Sequence, residues 1–222
     1  SSSKIYNDSD ADELIFLNIN REERSIEPLL TLIKKVSEVC FMPLSLGGGV
    51  KTIDDASRLI QNGADKIVLN SAIYDDLNLI EKIAYKFGNQ AVVASVDARM
   101  NQSENKYDLY SNCGRDSQPV DLVDHLKLIE NQGAGEIIIT SIDKDGTMNG
   151  YDKELIKIAV ENTAIPIIGA GGAGTFDHLK EAFLETDVSA LACGSLFNFG
   201  DNNPIRAKAY LQNYGIKFRS VK

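Results

Sequence analysis

At 222 residues, with 43% hydrophobic and 25% charged side chains, the chain has the make-up of one folded domain with a sizeable core. Its net charge of −9, from 32 acidic and 23 basic residues, argues against a general nucleic-acid binder, which needs a basic footprint. No stretch approaches the roughly 18 apolar residues of a membrane span, and the polar opening Ser1–Asp10 lacks the apolar core of a signal peptide.

The acidic surface leaves room for a phosphorylated ligand, because backbone N–H groups at helix starts can hold a phosphate locally. Cys40, Cys113 and Cys193 are widely spaced and form no CxxC, so a reducing, cytoplasmic setting is expected. His125 and His178 each fall in a predicted helix. A histidine-rich metal site is therefore not expected, and nothing in the sequence calls for a metal or redox cofactor.

In chain order, short apolar runs alternate with helical patterns. A strand at Glu13–Ile19 precedes a helix at Ile26–Val39, whose Ile26, Leu29, Leu30, Ile33 and Val36 form one apolar stripe. The next pairs are Pro43–Leu46 with Ile53–Gln61 and Lys66–Asn70 with Leu77–Phe87. Strand Ala91–Val96 is followed by a polar segment, Met100–Gln118, read as a small hairpin or long loop, and then by helix Leu122–Gln132. Three further pairs complete the chain: Glu136–Ile142 with Lys153–Val160, Pro166–Gly169 with Phe176–Leu184, and Ala190–Cys193 with Pro204–Tyr214. Thr52 and Thr175 are placed to cap the helices that follow them. Near-continuous apolar strands separated by helices imply a parallel sheet buried on both faces, with right-handed crossovers.

An internal repeat organises these elements. Asp12–Ile19 lies over Gly135–Ile142; at the same offset Pro43–Asp55 lies over Pro166–His178, and Gly63–Ala72 over Thr186–Ser195. The expected fold is a (β/α)8 barrel of the TIM type, one domain over residues 1–222, built of two similar half-barrels. Seven strands are visible. The counterpart of the Ala91–Val96 strand would fall before Ser1, so the first strand is expected to be missing from the chain, and with it any catalytic residue that it carries.

The strand ends carry the candidate chemistry. Gly47–Gly48–Gly49 follows a strand and precedes a helix, and Gly171, Gly172 and Gly174 do so in the other half. Each is partnered by a small polar strand end, Asn70–Ser71 and Gly194–Ser195. Glycine lets a ligand approach the backbone and the following helix start offers unpaired N–H groups, so the pair reads as two phosphate sites. Neither ends in the Gly-Lys-Ser/Thr of a Walker loop. Asp97 closes an apolar strand at the active face of such barrels, where a partly desolvated carboxylate can exchange protons near neutrality. In the polar mouth loop Ser141–Asp152, Asp143 is a candidate to orient substrate, Thr147 to donate to a phosphate, and Asp145 and Gly146 to shape the turn. Glu13, Lys66 and Glu136 begin strands and so lie at the opposite end, where inward-facing charges would have to pair.

GADKIVLNSA (Gly63–Ala72), the strand end Val96–Arg99, GAGEIIITSIDKDGTMNGYD (Gly133–Asp152), the GGAG turn (Gly171–Gly174) and ACGSLFNF (Ala192–Phe199) together resemble the HisF family, the cyclase subunits of imidazole glycerol phosphate synthase. The resemblance runs from about Asp12 to Phe218. It is closer than to the sister isomerase family HisA, which shares the half-barrel repeat. It implies a cyclase of histidine biosynthesis. Ammonia from a glutaminase subunit, HisH-like and docked at the N-terminal face, would pass along the barrel interior to a bisphosphorylated phosphoribulosyl-formimino carboxamide ribotide. The products would be imidazole glycerol phosphate and aminoimidazole carboxamide ribotide.

By that resemblance Asp97 is one of two catalytic aspartates, the other lying on the absent strand. One phosphate site would be Gly48, Gly49, Asn70 and Ser71, and the other Gly146, Gly172, Gly194 and Ser195. Glu13, Lys66 and Glu136 would gate the ammonia. The chain departs from the family at Asn18, where cyclases usually carry aspartate. Cys40–Ser45 and Asn112–Arg115 look more like HisF-like paralogues associated with surface polysaccharides, which are thought to help supply ammonia to a sugar amidotransferase. If the first strand is truly absent, a noncatalytic binding subunit is the further alternative.

Overall fold

The computed structural model of the chain describes residues 9–20, 24–36, 38, 40–198 and 201–218. Val39, the end of the first predicted helix, and the opening stretch before Ser9 lie outside them. Seven strands run parallel in chain order: β1 (Leu14–Leu17), β2 (Leu44–Gly47), β3 (Lys66–Leu69), β4 (Val92–Asn101), β7 (Glu136–Ser141), β8 (Ile167–Ala170) and β9 (Ala190–Leu191). Between β4 and β7 the chain makes an antiparallel excursion through β5 (Lys106–Ser111) and β6 (Asp116–Gln118), in which Asp97 faces Tyr110 and Asn101 faces Lys106.

Helices alternate with the strands: α1 (Glu27–Val36), α2 (Ile53–Gln61), α4 (Asn78–Phe87), α5 (Leu122–Asn131), α6 (Lys153–Asn162), α7 (Phe176–Thr186) and α9 (Pro204–Gln212). Two one-turn helices follow strands directly, α3 (Ser71–Asp75) after β3 and α8 (Ser195–Asn198) after β9. The stripe Ile26, Leu29, Leu30, Ile33 and Val36 is buried, as its helical spacing demands. Thr52 caps α2 by accepting from Asp55 N–H, and Thr175 caps α7 by accepting from His178 N–H. No helix among the described residues is long and apolar enough to cross a membrane.

Strand parity divides the core in two. The outward set, such as Ile67 and Leu69 of β3, Ala94 and Val96 of β4, and Ile137 and Ile139 of β7, packs with the helices in one large cluster. The inward set forms a separate cluster of Val68, Val93, Ile138 and Ile168, with Ile15, Ala170 and Ala192 against it. Side chains from β1, β3, β4, β7 and β8 can meet on one face only if the sheet curls around them. This is the layered interior of a TIM-type α/β barrel. Among the described residues β1 bonds only to β2 and β9 only to β8, so the curl is open between those two strands.

Candidate active site

A cavity of about 1340 Å³ occupies the concave side. It runs from Glu13 at the strand starts, past Ile15, Val68, Ile138 and Ile168, to Asp97, Thr140 and Ala170 at the strand ends. It also extends along the open seam, where Leu14, Leu179, Phe183, Ala207 and Leu211 border it. Gly48, Gly49, Asn70, Ser71, Gly171 and Gly194 all line its mouth. Both glycine turns therefore face one space at one end of the fold.

The turns share a backbone shape that side chains resist. Gly48 and Gly49 have φ of +86° and +89°, and Gly171 and Gly172 have +89° and +105°. A Cβ on Gly48 would sit 2.2 Å from the Asn18 carbonyl oxygen, and one on Gly171 2.8 Å from that of Ser141. Asn18 and Ser141 hold equivalent places in the repeat, so the two halves build their turns against the same neighbour. The polar strand ends differ. Asn70 spends its amide on the Ser95 carbonyl at 3.1 Å, while the Ser71 hydroxyl accepts from Asn112 N–H at 3.0 Å. The β5–β6 tip thus leans over this half of the mouth, and its Cys113 and Gly114 line the cavity.

Asp97 stands among these groups on β4, opposite Thr140 of β7. Burial raises its carboxyl and the nearby Asp145 adds to the effect; hydrogen bonds from Ser95, Asn70 and Thr140 oppose it. The net result pushes the group up to about 6. Such a carboxylate gives up and regains a proton close to neutral pH, which is what general acid–base work needs. Behind it the Tyr74 ring stacks on His125 at 4.7 Å between centroids. Burial, with the Asp97 charge second, raises the Tyr74 hydroxyl, and burial lowers the His125 imidazole to about 4.

Asp143 and Asp145 exchange the places that a simple reading of the mouth loop assigns them. Asp143 turns away from the cavity, accepting from Met100 N–H at 3.1 Å and lying 3.5 Å from Arg99 Nε. Asp145 lines the cavity instead. The inward alternation Glu136, Ile138, Thr140 ends with the strand at Ser141, and it is the turn that follows, not strand parity, that separates Asp143 from Asp145, so no local signal in the sequence marks Asp145. Thr147 is exposed, with its hydroxyl donated to the Lys144 carbonyl at 2.7 Å. Gly146, Thr147, Gly172 and Ser195 do not border the cavity, whereas Arg24, which the sequence reading passed over, does.

At the other end Lys66 Nζ lies 2.7 Å from Glu13 Oε2 and 2.8 Å from Glu136 Oε1. Ser45 donates to the second oxygen of Glu13. Burial works to lower the Lys66 ammonium, but the hydrogen bonds and charges of Glu13 and Glu136 outweigh it and leave it raised. The three charges converge from β1, β3 and β7, alternate strands of the curl, and close the floor of the inward apolar cluster.

Comparison with known proteins agrees with this geometry. Residues 1–203 match the protein family described as histidine biosynthesis protein. The chain is also similar to the imidazole glycerol phosphate synthase subunit HisF of Campylobacter concisus (strain 13826), with 42% identity over 217 residues. That alignment covers 98% of this chain and 85% of the relative.

Proposed function

Because the chain belongs to the histidine biosynthesis family, we propose that it is the cyclase subunit of an imidazole glycerol phosphate synthase. One observation carries this reading: a carboxylate poised near neutrality, Asp97, stands in a cavity whose mouth is lined by two equivalent diglycine turns. A ligand with a phosphate at each end would span the turns, Gly48–Gly49 with Asn70 and Ser71 on one side, Gly171 with Gly194 on the other. Anchoring both ends fixes the reacting centre and removes much of the entropy cost of the reaction. The substrate that fits is the phosphoribulosyl-formimino carboxamide ribotide. The products would be imidazole glycerol phosphate and aminoimidazole carboxamide ribotide.

Ammonia attack and ring closure both move protons, and Asp97 is the group placed to accept and return them. Asp143, held by Met100 and Arg99, is given no step. A glutaminase subunit would dock at the strand-start face and deliver ammonia past Glu13, Lys66 and Glu136 into the apolar interior. The seam between β1 and β9 is open among the described residues. An eighth parallel strand from outside the described residues would close it within the same single domain and remove two bare edges.

The test is an assay of the full-length protein with the ribotide and an ammonium salt. Formation of imidazole glycerol phosphate supports the cyclase. A folded protein that binds phosphate but gives no product favours the polysaccharide-associated reading, which the neutral Asn18 at the mouth also favours.

A further inference from the structure

Asn18 is the residue on which the first glycine turn closes, and no step above uses its side chain. Its Nδ2 donates to the Ser25 carbonyl at 3.0 Å, and its Oδ1 accepts from Asn20 N–H at 3.0 Å. Its own backbone N–H donates to the Gly47 carbonyl at 2.8 Å. The Asn18 oxygen walls in Gly48, and the Ser25 oxygen lies 2.6 Å from where a Cβ on Gly49 would sit. One amide therefore ties together the two stretches of backbone that press on the diglycine. In the other half main-chain bonds hold the wall, and the Ser141 hydroxyl goes instead to Asp152 Oδ2 at 3.3 Å. There Lys144 and Asp145 N–H groups donate to the Ser141 carbonyl at 3.2 and 3.0 Å, and Gly150 N–H donates to the Gly172 carbonyl at 2.8 Å.

We propose that Asn18 is a positioning residue for the anionic end of the substrate. Its neutral amide ties Ser25 to the end of β1 against Gly48–Gly49, with Arg24, the neighbour of Ser25, bordering the same cavity. The amide suits the task because it donates to a carbonyl and accepts from an N–H at once. A carboxylate keeps the Asn20 bond but has no proton for the Ser25 oxygen. Alanine supplies neither bond. The proposal rests on the phosphate reading of the Gly48–Gly49 turn and holds for either pathway, since both need that grip.

The experiment titrates inorganic phosphate into the full-length protein and its Asn18→Ala and Asn18→Asp variants, followed by phosphorus NMR, with ammonium-driven turnover of the ribotide alongside. Two phosphate sites are expected in the parent. In Asn18→Ala one of them should weaken by about 5-fold to 10-fold, the scale of one lost hydrogen bond to a positioned group, while the other is unchanged. Asn18→Asp, which keeps the Asn20 bond and loses only the Ser25 bond, should weaken the same site by no more than Asn18→Ala. KM for the ribotide should rise in step while kcat moves less than about 2-fold, a split that general loosening of the fold does not produce. If Asn18→Ala melts too readily to titrate, Asn18→Ser serves, because its short hydroxyl keeps the Asn20 turn but cannot reach Ser25. Unchanged sites in the Asn18 variants, with one site lost in Ser71→Ala, overturn the clamp and leave the phosphate reading standing. A parent that binds no phosphate, or a Ser71→Ala variant that loses none, removes both.

Discussion

The two halves of the molecule share a backbone but not a chemistry. Each presents a diglycine turn with φ near +90°, pressed against the residue that ends or follows its half's repeat-related strand, Asn18 or Ser141. Yet among the described residues β7 carries Thr140 where β1 carries Leu17, and of the groups beside Asp97 on β4, Ser95, Thr140 and Asp145 belong to the second half. The described parts of the two halves thus keep their glycine turns alike and differ in the side chains beside them.

Replacing Asp97 should break that asymmetry most completely. Asp97→Asn is expected to lower turnover by at least about 100-fold, the low end of general acid–base contributions, with both phosphate sites intact. Steady-state turnover beside a phosphate titration checks this; near-parental turnover would remove Asp97 from the mechanism. In the parent, turnover should fall as pH drops through about 6, where the carboxyl takes up its proton.

The glycine turns sharpen the comparison in the other direction. Gly48→Ala and Gly171→Ala both force a side chain into a positive-φ backbone, at a cost of about 1–3 kcal/mol. The first should cost more, because its Cβ meets a main-chain oxygen at 2.2 Å rather than 2.8 Å. Urea unfolding of the two variants measures the difference, and equal losses would mean that the walls yield alike.

A smaller effect comes again from Asp97, now on stability. Its folded pKa lies above the ordinary carboxylate value, so its favourable contribution is full below about 4 and is lost as pH rises through about 6. Asp97→Asn should therefore be more stable than the parent at pH 8, by on the order of 1 kcal/mol, with the two curves meeting below about pH 4. Denaturation midpoints across that range decide it. A variant less stable at pH 8 would mean that the carboxylate's hydrogen bonds outweigh its burial.

Much of this was written in the sequence, for physical reasons that also mark where it stops. Strands such as Ala91–Val96 are near-continuous apolar runs because a parallel sheet covered on both faces demands them. The diglycines were legible because no other residue takes that backbone cheaply. The repeat named Asn18 and Ser141 as equivalents but could not show that one side chain bonds the Ser25 carbonyl while the other bonds the Asp152 carboxylate. Asp143 and Asp145 stand two positions apart, share strand parity and look alike as loop residues; only the turn after Ser141, in which Met100 N–H holds Asp143, separates them. Tyr74 and His125 stack across a separation that local pattern never sees, and the hairpin contact from Asn112 to Ser71 joins elements whose pairing is decided by tertiary packing.

The slightest test of the comparison lies at the caps, where the repeat also pairs Thr52 with Thr175. Thr52 sits in a reciprocal box: its hydroxyl accepts from Asp55 N–H at 3.1 Å, and Asp55 Oδ2 accepts from Thr52 N–H at 3.0 Å. Thr175 gives one longer bond, from His178 N–H at 3.3 Å, while His178 Nδ1 turns to Gly174 N–H at 3.2 Å. Asp55 Oδ2 also accepts at 3.0 Å from the N–H of Lys51, the repeat counterpart of Gly174, so the divergence from Asp55 to His178 kept the bond to that position and lost the one to the cap N–H. Thr52→Ala should cost about 1 kcal/mol and Thr175→Ala about half as much, within the usual range for lost caps. Guanidinium midpoints can resolve that order. If Thr175→Ala costs the more, the Gly174–His178 bond depends on the cap, and the second turn is held through its helix rather than through Ser141 and Gly150.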